Sequence, residues 1–145
     1  MTNKVHFMSQ RQDWESPQYL FDGLNAEFGF DRDLCATPEN AKCREFFTPD
    51  DDALVQRWEG VCWMNPPYGR GIERWMKKAF ESAQAGATVV CLIPARTDTK
   101  WWHDYVMKAD EIRFLRGRLK FGNSKNSAPF PSAVVVFRGR DEDST

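Results

Sequence analysis

One short stretch of the chain joins an apolar run to residues that could bind a ligand. Val61-Cys62-Trp63-Met64 is typical of a buried strand, and Asn65-Pro66-Pro67-Tyr68 cannot continue it. Proline fixes φ at about −65° and lacks a backbone N–H, so a rigid loop is predicted at the end of this strand. In an open α/β sheet, ligands usually bind in the crevice beyond the carboxyl ends of the strands. We expect Asn65 and Tyr68 to point into that crevice and to offer it an amide and a flat aromatic face.

This tetrapeptide resembles the catalytic motif (Asp/Asn/Ser)-Pro-Pro-(Tyr/Phe/Trp) of methyltransferases that use S-adenosylmethionine (SAM) to methylate exocyclic amino groups. Such a nitrogen is a poor nucleophile because its lone pair is delocalised. The Asn65 carboxamide oxygen and the Pro66 carbonyl, held rigid by Pro66 and Pro67, could accept its two N–H groups and aim the lone pair at the methyl group. Tyr68 could stack on an extruded base. The alternative is an ordinary turn, since Asn-Pro and Pro-Pro commonly form turns.

The elements around this loop predict a βαβ unit. Residues 72–83 place apolar side chains on one face of a helix, and residues 87–94 form a continuous apolar run of strand length. A strand, a helix and a second buried strand in this order form a right-handed crossover in parallel sheets. This combination is more specific than any of the short motifs.

Length and composition restrict the class of protein. The chain has 145 residues, which corresponds to one domain, and we predict a mobile arm at 1–13, a domain at 14–140 and a frayed acidic tail at 141–145. The 20 basic and 21 acidic residues nearly cancel, so a basic face for nucleic acid would have to be local. The 6 Trp and 11 Phe indicate either a dense core or stacking surfaces.

The cysteines and histidines do not form a metal pattern. Four cysteines are scattered without a C-x-x-C pair, and neither His6 nor His103 is suitably spaced from them. We interpret the cysteines as reduced buried thiols rather than as a disulfide or zinc site, and we predict no metal. The sequence contains no apolar run of membrane-spanning length and no signal peptide, so a soluble, cytoplasmic protein without membrane contact is expected.

The segment before the first predicted strand carries a helix start. Ser16 is a candidate N-cap and Pro17 a first helical residue, a helix is predicted over 18–28, and Gly29 ends it. A simple packing helix is the alternative to a functional role. Residues 30–36 then alternate like a short strand and continue into a turn at 37–40.

The region between this strand and Asn65 is short. Thr48 or Asp50 could cap a short helix that carries Leu54, Val55 and Trp58. The carboxylates at 50–52 suit a solvated helix start, and contact with the SAM ribose is the alternative. Two complete βα units do not fit here, so an abbreviated fold is predicted.

Cations follow the later strands. Arg96 comes directly after the strand at 87–94, where ligands bind. Two further strands are predicted at 111–115 and 133–137, and the connection between them contains basic residues and no acidic ones. We predict that this connection faces DNA, with a long hairpin loop as the alternative. The candidate DNA-binding residues are Arg96, Arg116, Arg118, Lys120 and Lys125.

From residue 14 to residue 137 the chain resembles the phage and prophage family of small DNA N6-adenine methyltransferases, the Dam-like group. The resemblance rests on six segments in order: Trp14 to Pro17, Asp33-Leu34-Cys35-Ala36, Asn65-Pro66-Pro67-Tyr68, Leu92 to Arg96, Arg116 to Phe121 and Pro131 to Phe137. It implies an abbreviated Rossmann-like class I SAM-dependent fold, α/β, with a mostly parallel sheet and a C-terminal antiparallel hairpin. It also implies transfer of a methyl group from SAM to adenine N6 in double-stranded DNA.

The resemblance suggests a cofactor site as well. Trp14, Ser16, Pro17, Asp33, Cys35 and Ala36 would line it, and Asp33 would pair with the amino group of SAM. The chain differs from larger adenine methyltransferases because it lacks their Gly-rich loop and a separate target-recognition domain. A short or relaxed recognition site and a monomer or weak homodimer are therefore expected.

Three alternatives for the function stay open at this point. The same motif can act on cytosine N4, because that amino group needs the same two acceptors. It can also act on a glutamine amide in a protein, although the basic connection favours nucleic acid. The third alternative is a non-catalytic DNA-binding decoy of the same fold, which the glycine-free loop would suit.

Overall fold

A six-stranded sheet forms the centre of the molecule. The computed structural model describes residues 15–122 and 126–140, so the predicted arm at 1–13 and tail at 141–145 lie outside it. The strands are β1 (Arg32–Asp33), β2 (Glu45–Phe46), β3 (Val61–Met64), β4 (Thr88–Pro94), β5 (Glu111–Phe114) and β6 (Ser132–Phe137). Within the described residues, they are arranged in the order β2-β1-β3-β4-β6-β5.

The first four strands are parallel and the last pair is antiparallel. β1 pairs with β2 and β3, and β3 pairs with β4, all in parallel. β6 lies between β4 and β5 and runs antiparallel to both. The prediction of a mostly parallel sheet with a C-terminal antiparallel hairpin is therefore confirmed. β2 was not predicted, because only two residues of a polar turn region pair with β1.

The helices agree with the sequence periodicity in two cases. They are α1 (Gln18–Phe28), α2 (Ile72–Gln84) and a short α3 (Lys100–Asp104). Gly29 ends α1 in the left-handed conformation at φ 69°, and its N–H donates to the Asn25 carbonyl. The prediction of Ser16 as N-cap is wrong. The cap residue is Pro17, which has extended backbone angles and whose carbonyl already accepts from the N–H groups of Leu20 and Phe21.

Residues 48–58 do not form the single short helix that was predicted. Two 3₁₀ turns, Pro49–Asp51 and Ala53–Val55, take its place. Thr48 is the N-cap of the first turn, and its backbone N–H donates to the Asp51 carboxylate at 2.8 Å. Asp52 then adopts φ 52°, a left-handed conformation that interrupts any continuous helix.

The two long helices cover opposite faces of the sheet. Phe21 of α1 meets Trp63 of β3 edge to face at 5.5 Å, and Phe80 of α2 meets Phe137 of β6 at 6.4 Å. The pairings that join Trp63 through β4 to Val136 place Trp63 and Val136 on one face. Phe137 therefore points to the other face, because successive side chains in a strand alternate. β4 and β6 are buried along nearly all of their length between these layers.

A close backbone approach fixes one end of the sheet and can be tested. A Cβ on Gly139 would overlap the carbonyl oxygen of Gly86, which belongs to the backbone and cannot rotate away. We expect Gly139→Ala to lower the free energy of unfolding by about 1–3 kcal/mol, the usual effect of overpacking. The control is Gly23→Ala on the exposed side of α1, where a Cβ meets nothing within 4 Å. That variant should gain about 0.5–1 kcal/mol. Equal midpoints for the two variants in urea unfolding would contradict this account.

Candidate active site

The candidate catalytic and cofactor-binding residues lie at the carboxyl edge of the parallel strands. The chain leaves β1 at Leu34, β3 at Asn65 and β4 at Ala95, and these three strands are neighbours in the sheet. Parallel strands present their carboxyl ends at the same edge. The loops at 34–44, 65–71 and 95–99 therefore lie side by side.

The loop after β3 is held by a tyrosine hydroxyl. Tyr68 is buried, with 8% of its surface exposed, and its hydroxyl donates to the Asn65 carboxamide oxygen at 2.9 Å. The same hydroxyl lies 3.1 Å from the carbonyl oxygen of Leu92 in β4. Pro66 is buried and Pro67 partly buried between these two residues. The loop that contains Asn65 is thus tied to the neighbouring strand through Tyr68.

Two phenylalanines from a distant part of the chain close around Tyr68. The rings of Phe121 and Phe130 lie edge to face with the Tyr68 ring, at 6.2 Å and 5.6 Å between centroids. They also contact each other at 6.0 Å, and the Arg96 guanidinium lies 5.9 Å from the Phe130 ring centre. Neither phenylalanine was predicted as a site residue. Their signal in the sequence is that they are the two aromatic residues in a connection made mostly of polar residues and glycine.

Burial keeps the Tyr68 hydroxyl protonated. The pKa of Tyr68 is raised well above its usual value, first by burial and then by the nearby Cys35 thiol. The hydroxyl therefore stays a hydrogen-bond donor at neutral pH. It can support an acceptor such as the Asn65 oxygen and cannot serve as a base there.

Asp33, at the end of β1, organises the glycine-free loop that follows it. Its side chain is 3% exposed, and its two carboxylate oxygens accept the backbone N–H groups of Cys35 at 3.1 Å and Lys42 at 3.0 Å. Burial raises the pKa of Asp33 to about 6, against the lowering effect of these N–H groups. Each carboxylate oxygen has a second lone pair, so Asp33 can also accept from a bound ammonium group.

Lys42 links this loop to the segment before α1. Its side chain is 8% exposed, and its ammonium group donates to the Gln18 side-chain oxygen at 2.9 Å and lies 3.8 Å from the Glu15 carboxylate. The Glu15 carbonyl in turn accepts from the N–H of Gly122 at 2.7 Å. Sequence reasoning missed Lys42, because an isolated lysine in a turn region has no distinguishing pattern.

The other predicted cofactor residues lie near this link. Ser16 and Ala36 are buried, and Pro17 and Cys35 are partly buried. Burial, and then the Asp33 carboxylate, raise the pKa of the Cys35 thiol well above its usual value, so this side chain is neutral. Trp14 lies outside the described residues.

The basic connection alternates between exposed cations and buried apolar side chains. Arg118 and Lys120 are exposed, whereas Leu119 and Phe121 are buried, so the cations point outward while the connection packs on Tyr68. The Ala128 N–H donates to the Leu119 carbonyl at 2.7 Å and ties the two sides of the connection together. Arg96 and Arg116 are also exposed, and Lys125 lies outside the described residues.

Other features of the described residues lie away from this edge or form no site. A cavity of about 360 Å³ at the opposite edge, before β3 and β4, is lined by both cations and carboxylates, among them Arg57, Lys78 and Glu81. In residues 15–122 and 126–140, no three or more His, Cys, Asp or Glu side chains group as a metal site would need. All four cysteines are free thiols. None of the helices in these residues is long and apolar enough to cross a membrane.

Comparison with known proteins gives consistent matches. Residues 4–139 match the model of a family described as DNA N-6-adenine-methyltransferase (Dam). A DNA N-6-adenine-methyltransferase of Haemophilus phage HP1 is 33% identical over 146 residues, which cover 94% of this chain and 84% of the phage protein. A DNA N-6-adenine-methyltransferase of Escherichia phage T1 is 31% identical over 110 residues, 73% of this chain and 45% of that protein. The putative methyltransferase YfdM of Escherichia coli is 38% identical over 63 residues, 38% of this chain and 69% of that protein.

Proposed function

The chain belongs to the DNA N-6-adenine-methyltransferase (Dam) family, and from this premise we propose that it transfers a methyl group from SAM to the N6 amino group of adenine in double-stranded DNA. The main structural support for the proposal is the position of the Asn65 carboxamide, which Tyr68 holds at the carboxyl edge of the sheet. The family implies SAM as the methyl donor. A monomer or weak homodimer and a cytoplasmic location stay predictions.

The order of the strands supports an abbreviated Rossmann-like class I fold. From β1 the chain moves outward to β2 and then returns to the other side of β1 as β3, so the direction of winding reverses between β1 and β3. Ligands of open α/β sheets bind in the crevice at such a switch point. The Asp33 loop and the Asn65 loop flank this crevice. We therefore infer that SAM binds between these two loops.

The residues around the crevice suit the parts of SAM. Asp33, ionised above about pH 6, would accept from its ammonium group, and Lys42 holds Asp33 and the 15–18 segment in place. Ser16, Pro17, Cys35 and Ala36 would surround the methionine portion, and Trp14, which lies outside the described residues, stays a candidate from the sequence. SAM, when bound, supplies an electrophilic methyl group. The carboxylates at 50–52 stay an alternative for the ribose.

On the side of the base, this chain supplies two acceptors. Asn65 Oδ1 and the Pro66 carbonyl would accept the two N6 hydrogens of an extruded adenine and aim its lone pair at the methyl group. Tyr68 is buried and contacts Phe121 and Phe130, so a base can stack on Tyr68 only if the groups that cover its ring move. Both phenylalanines belong to the basic connection, and contact of Arg116, Arg118 and Lys120 with phosphates would act on the same segment.

The pH dependence of SAM binding tests the role of Asp33. Because burial raises the pKa of Asp33 to about 6, its charge is lost as the pH falls through that value. We expect SAM affinity, measured by calorimetry without DNA, to rise by up to about tenfold per pH unit from pH 5 to 6 and to level off above pH 7. In Asp33→Asn the affinity should be weaker and independent of pH. The exposed Asp98→Asn is the control and should retain the wild-type profile.

The raised pKa of Asp33 also predicts how the stability of the folded protein depends on pH. The folded-state pKa of Asp33 lies above its ordinary value of 3.8, so protonation of this group favours the folded state. Its contribution to stability without ligand is complete below pH 3.8 and is lost as the pH rises through about 6. Equal pH profiles for wild type and Asp33→Asn, in both SAM binding and stability, would contradict the assignment.

The experiment that tests the proposed function is mass spectrometry of nucleosides from unmethylated duplex DNA incubated with the protein and SAM. N6-methyladenine is the expected product. If N4-methylcytosine forms instead, the same mechanism acts on cytosine and not on adenine. If SAM binds but no modified nucleoside forms, the assignment of DNA as the substrate is wrong. The glutamine side chain of a protein is then the substrate to test. If SAM does not bind, the chain is a decoy of the family fold.

A further inference from the structure

We propose that the Tyr68 hydroxyl is a positioning group, which selects the end of the Asn65 carboxamide that meets the substrate amino group. The inference rests on the proposed function, because it concerns the same amino nitrogen. It adds a role for the hydroxyl that is separate from any stacking of a base on the Tyr68 ring.

The need for such a group follows from the chemistry of an amide. The oxygen of the Asn65 carboxamide accepts hydrogen bonds, whereas its NH₂ group only donates. A half-turn about the last side-chain torsion exchanges the two ends at almost no steric cost. If the NH₂ end faced the substrate, donor would meet donor, and the substrate nitrogen would lose the acceptor that draws out its lone pair.

The structure contains a group that distinguishes the two ends. The Tyr68 hydroxyl donates to Asn65 Oδ1 at 2.9 Å, and an amide oxygen can accept two hydrogen bonds, so this bond is compatible with one from the substrate. Only 8% of Tyr68 is exposed whereas Asn65 is partly buried, so water competes little for the hydroxyl and the amide can still meet a substrate. The hydroxyl has a single proton, and Asn65 Oδ1 at 2.9 Å is the nearer of two acceptors, the other being the Leu92 carbonyl at 3.1 Å. Phe121 and Phe130 hold the ring, so the position of the hydroxyl oxygen is set before any ligand arrives.

A double-mutant cycle separates positioning of Asn65 from a merely structural bond to Leu92. Tyr68→Phe removes the hydroxyl and keeps the ring. With Asn65 present, we expect kcat for N6-methyladenine formation to fall by at least about twofold, with KM for DNA unchanged, because an amide that samples both orientations equally is productive half of the time. In the Asn65→Asp background this penalty should disappear, because both ends of a carboxylate accept. The assays are run at about pH 8, so that the new carboxylate is ionised.

The structural alternative predicts a different cycle. If the hydroxyl serves only to tie the loop to Leu92, Tyr68→Phe lowers kcat by the same factor in the wild-type and in the Asn65→Asp backgrounds, and that result would overturn the inference. The control for loss of a tyrosine hydroxyl is Tyr19→Phe, since Tyr19 is 71% exposed on α1. Its activity should equal that of the wild type.

A second measurement needs no activity. Protein labelled with ¹⁵N-asparagine shows a side-chain NH₂ signal for Asn65, which is identified by its disappearance in Asn65→Asp. We expect Tyr68→Phe, but not Tyr19→Phe, to shift or broaden this signal, because the amide loses the bond that fixes it. An unchanged signal would also overturn the inference. The proposed function fails by a separate result, the absence of N6-methyladenine from the wild-type reaction.

Discussion

Asn65→Ala is expected to lower methyl transfer by at least about 10²–10³-fold, the range found when one preorganised polar contact to a reacting centre is removed. The variant deletes the side-chain acceptor for the amino group and leaves only the Pro66 carbonyl. Asn65 is a loop residue that follows β3 and is only partly buried, so the fold should survive its truncation. The measurement is single-turnover formation of N6-methyladenine, with SAM affinity followed by calorimetry.

The controls for this variant separate chemistry from folding. SAM affinity should stay within about twofold of wild type, because Asn65 is not among the residues assigned to the cofactor. Asn65→Asp, which keeps an acceptor at the same place, should retain measurable activity. Activity of the Asn65→Ala chain close to wild type would disprove the catalytic assignment of the whole loop.

The second large effect is expected from the cations of the connection between β5 and β6. We expect DNA affinity to fall by about 10²-fold or more at low salt in a triple variant that combines Arg116→Ala, Arg118→Ala and Lys120→Ala. Each lost phosphate contact should reduce the slope of log K against log salt by about 0.9, so three contacts reduce it by about 2–3. Fluorescence anisotropy with a labelled duplex over a salt series measures both quantities. SAM affinity should not change.

A matched triple variant tests whether position matters or only net charge. Arg57, Lys108 and Arg140 are exposed and lie near the other edge of the sheet, next to the starts of β3 and β5 and the end of β6. Their replacement by alanine removes the same number of positive charges. We expect little change in DNA affinity or salt slope. Equal losses in the two triple variants would show that DNA affinity depends on the overall charge of the protein and not on the cations of this connection.

The elements that the sequence predicts well depend on residues close together in the chain. The bounds of α1 were predicted as observed, because the apolar spacing and Gly29 act within a few turns. β3, β4, β5 and β6 were predicted to within one residue at each end, from apolar runs that need only to be buried. The resemblance in the loop after β3 was equally local, and the family match agrees with it.

One failure was caused by a distant strand partner, and two were caused by the local backbone conformation. β2 is a strand only because Glu45 and Phe46 pair with β1, and their own sequence shows no alternation. The 48–58 segment could not be a helix once Asp52 took a left-handed conformation between two turns. Ser16 does not cap α1, because Pro17, with extended backbone angles, directly precedes the first helical residue and takes the cap position.

The sequence by itself determined the residue types of this protein's candidate site, the order of most of its elements and its family resemblance, because these follow from local spacing and from the chemistry of single side chains. Only the tertiary structure decided that Phe121 and Phe130 enclose Tyr68, and that Lys42 connects Asp33 with the segment before α1. These contacts join residues far apart in the chain, and they exist only because the sheet places β1, β3 and β4 side by side with β6 next to them. The physical reason is that the position of a strand within a sheet follows from the packing of the whole chain.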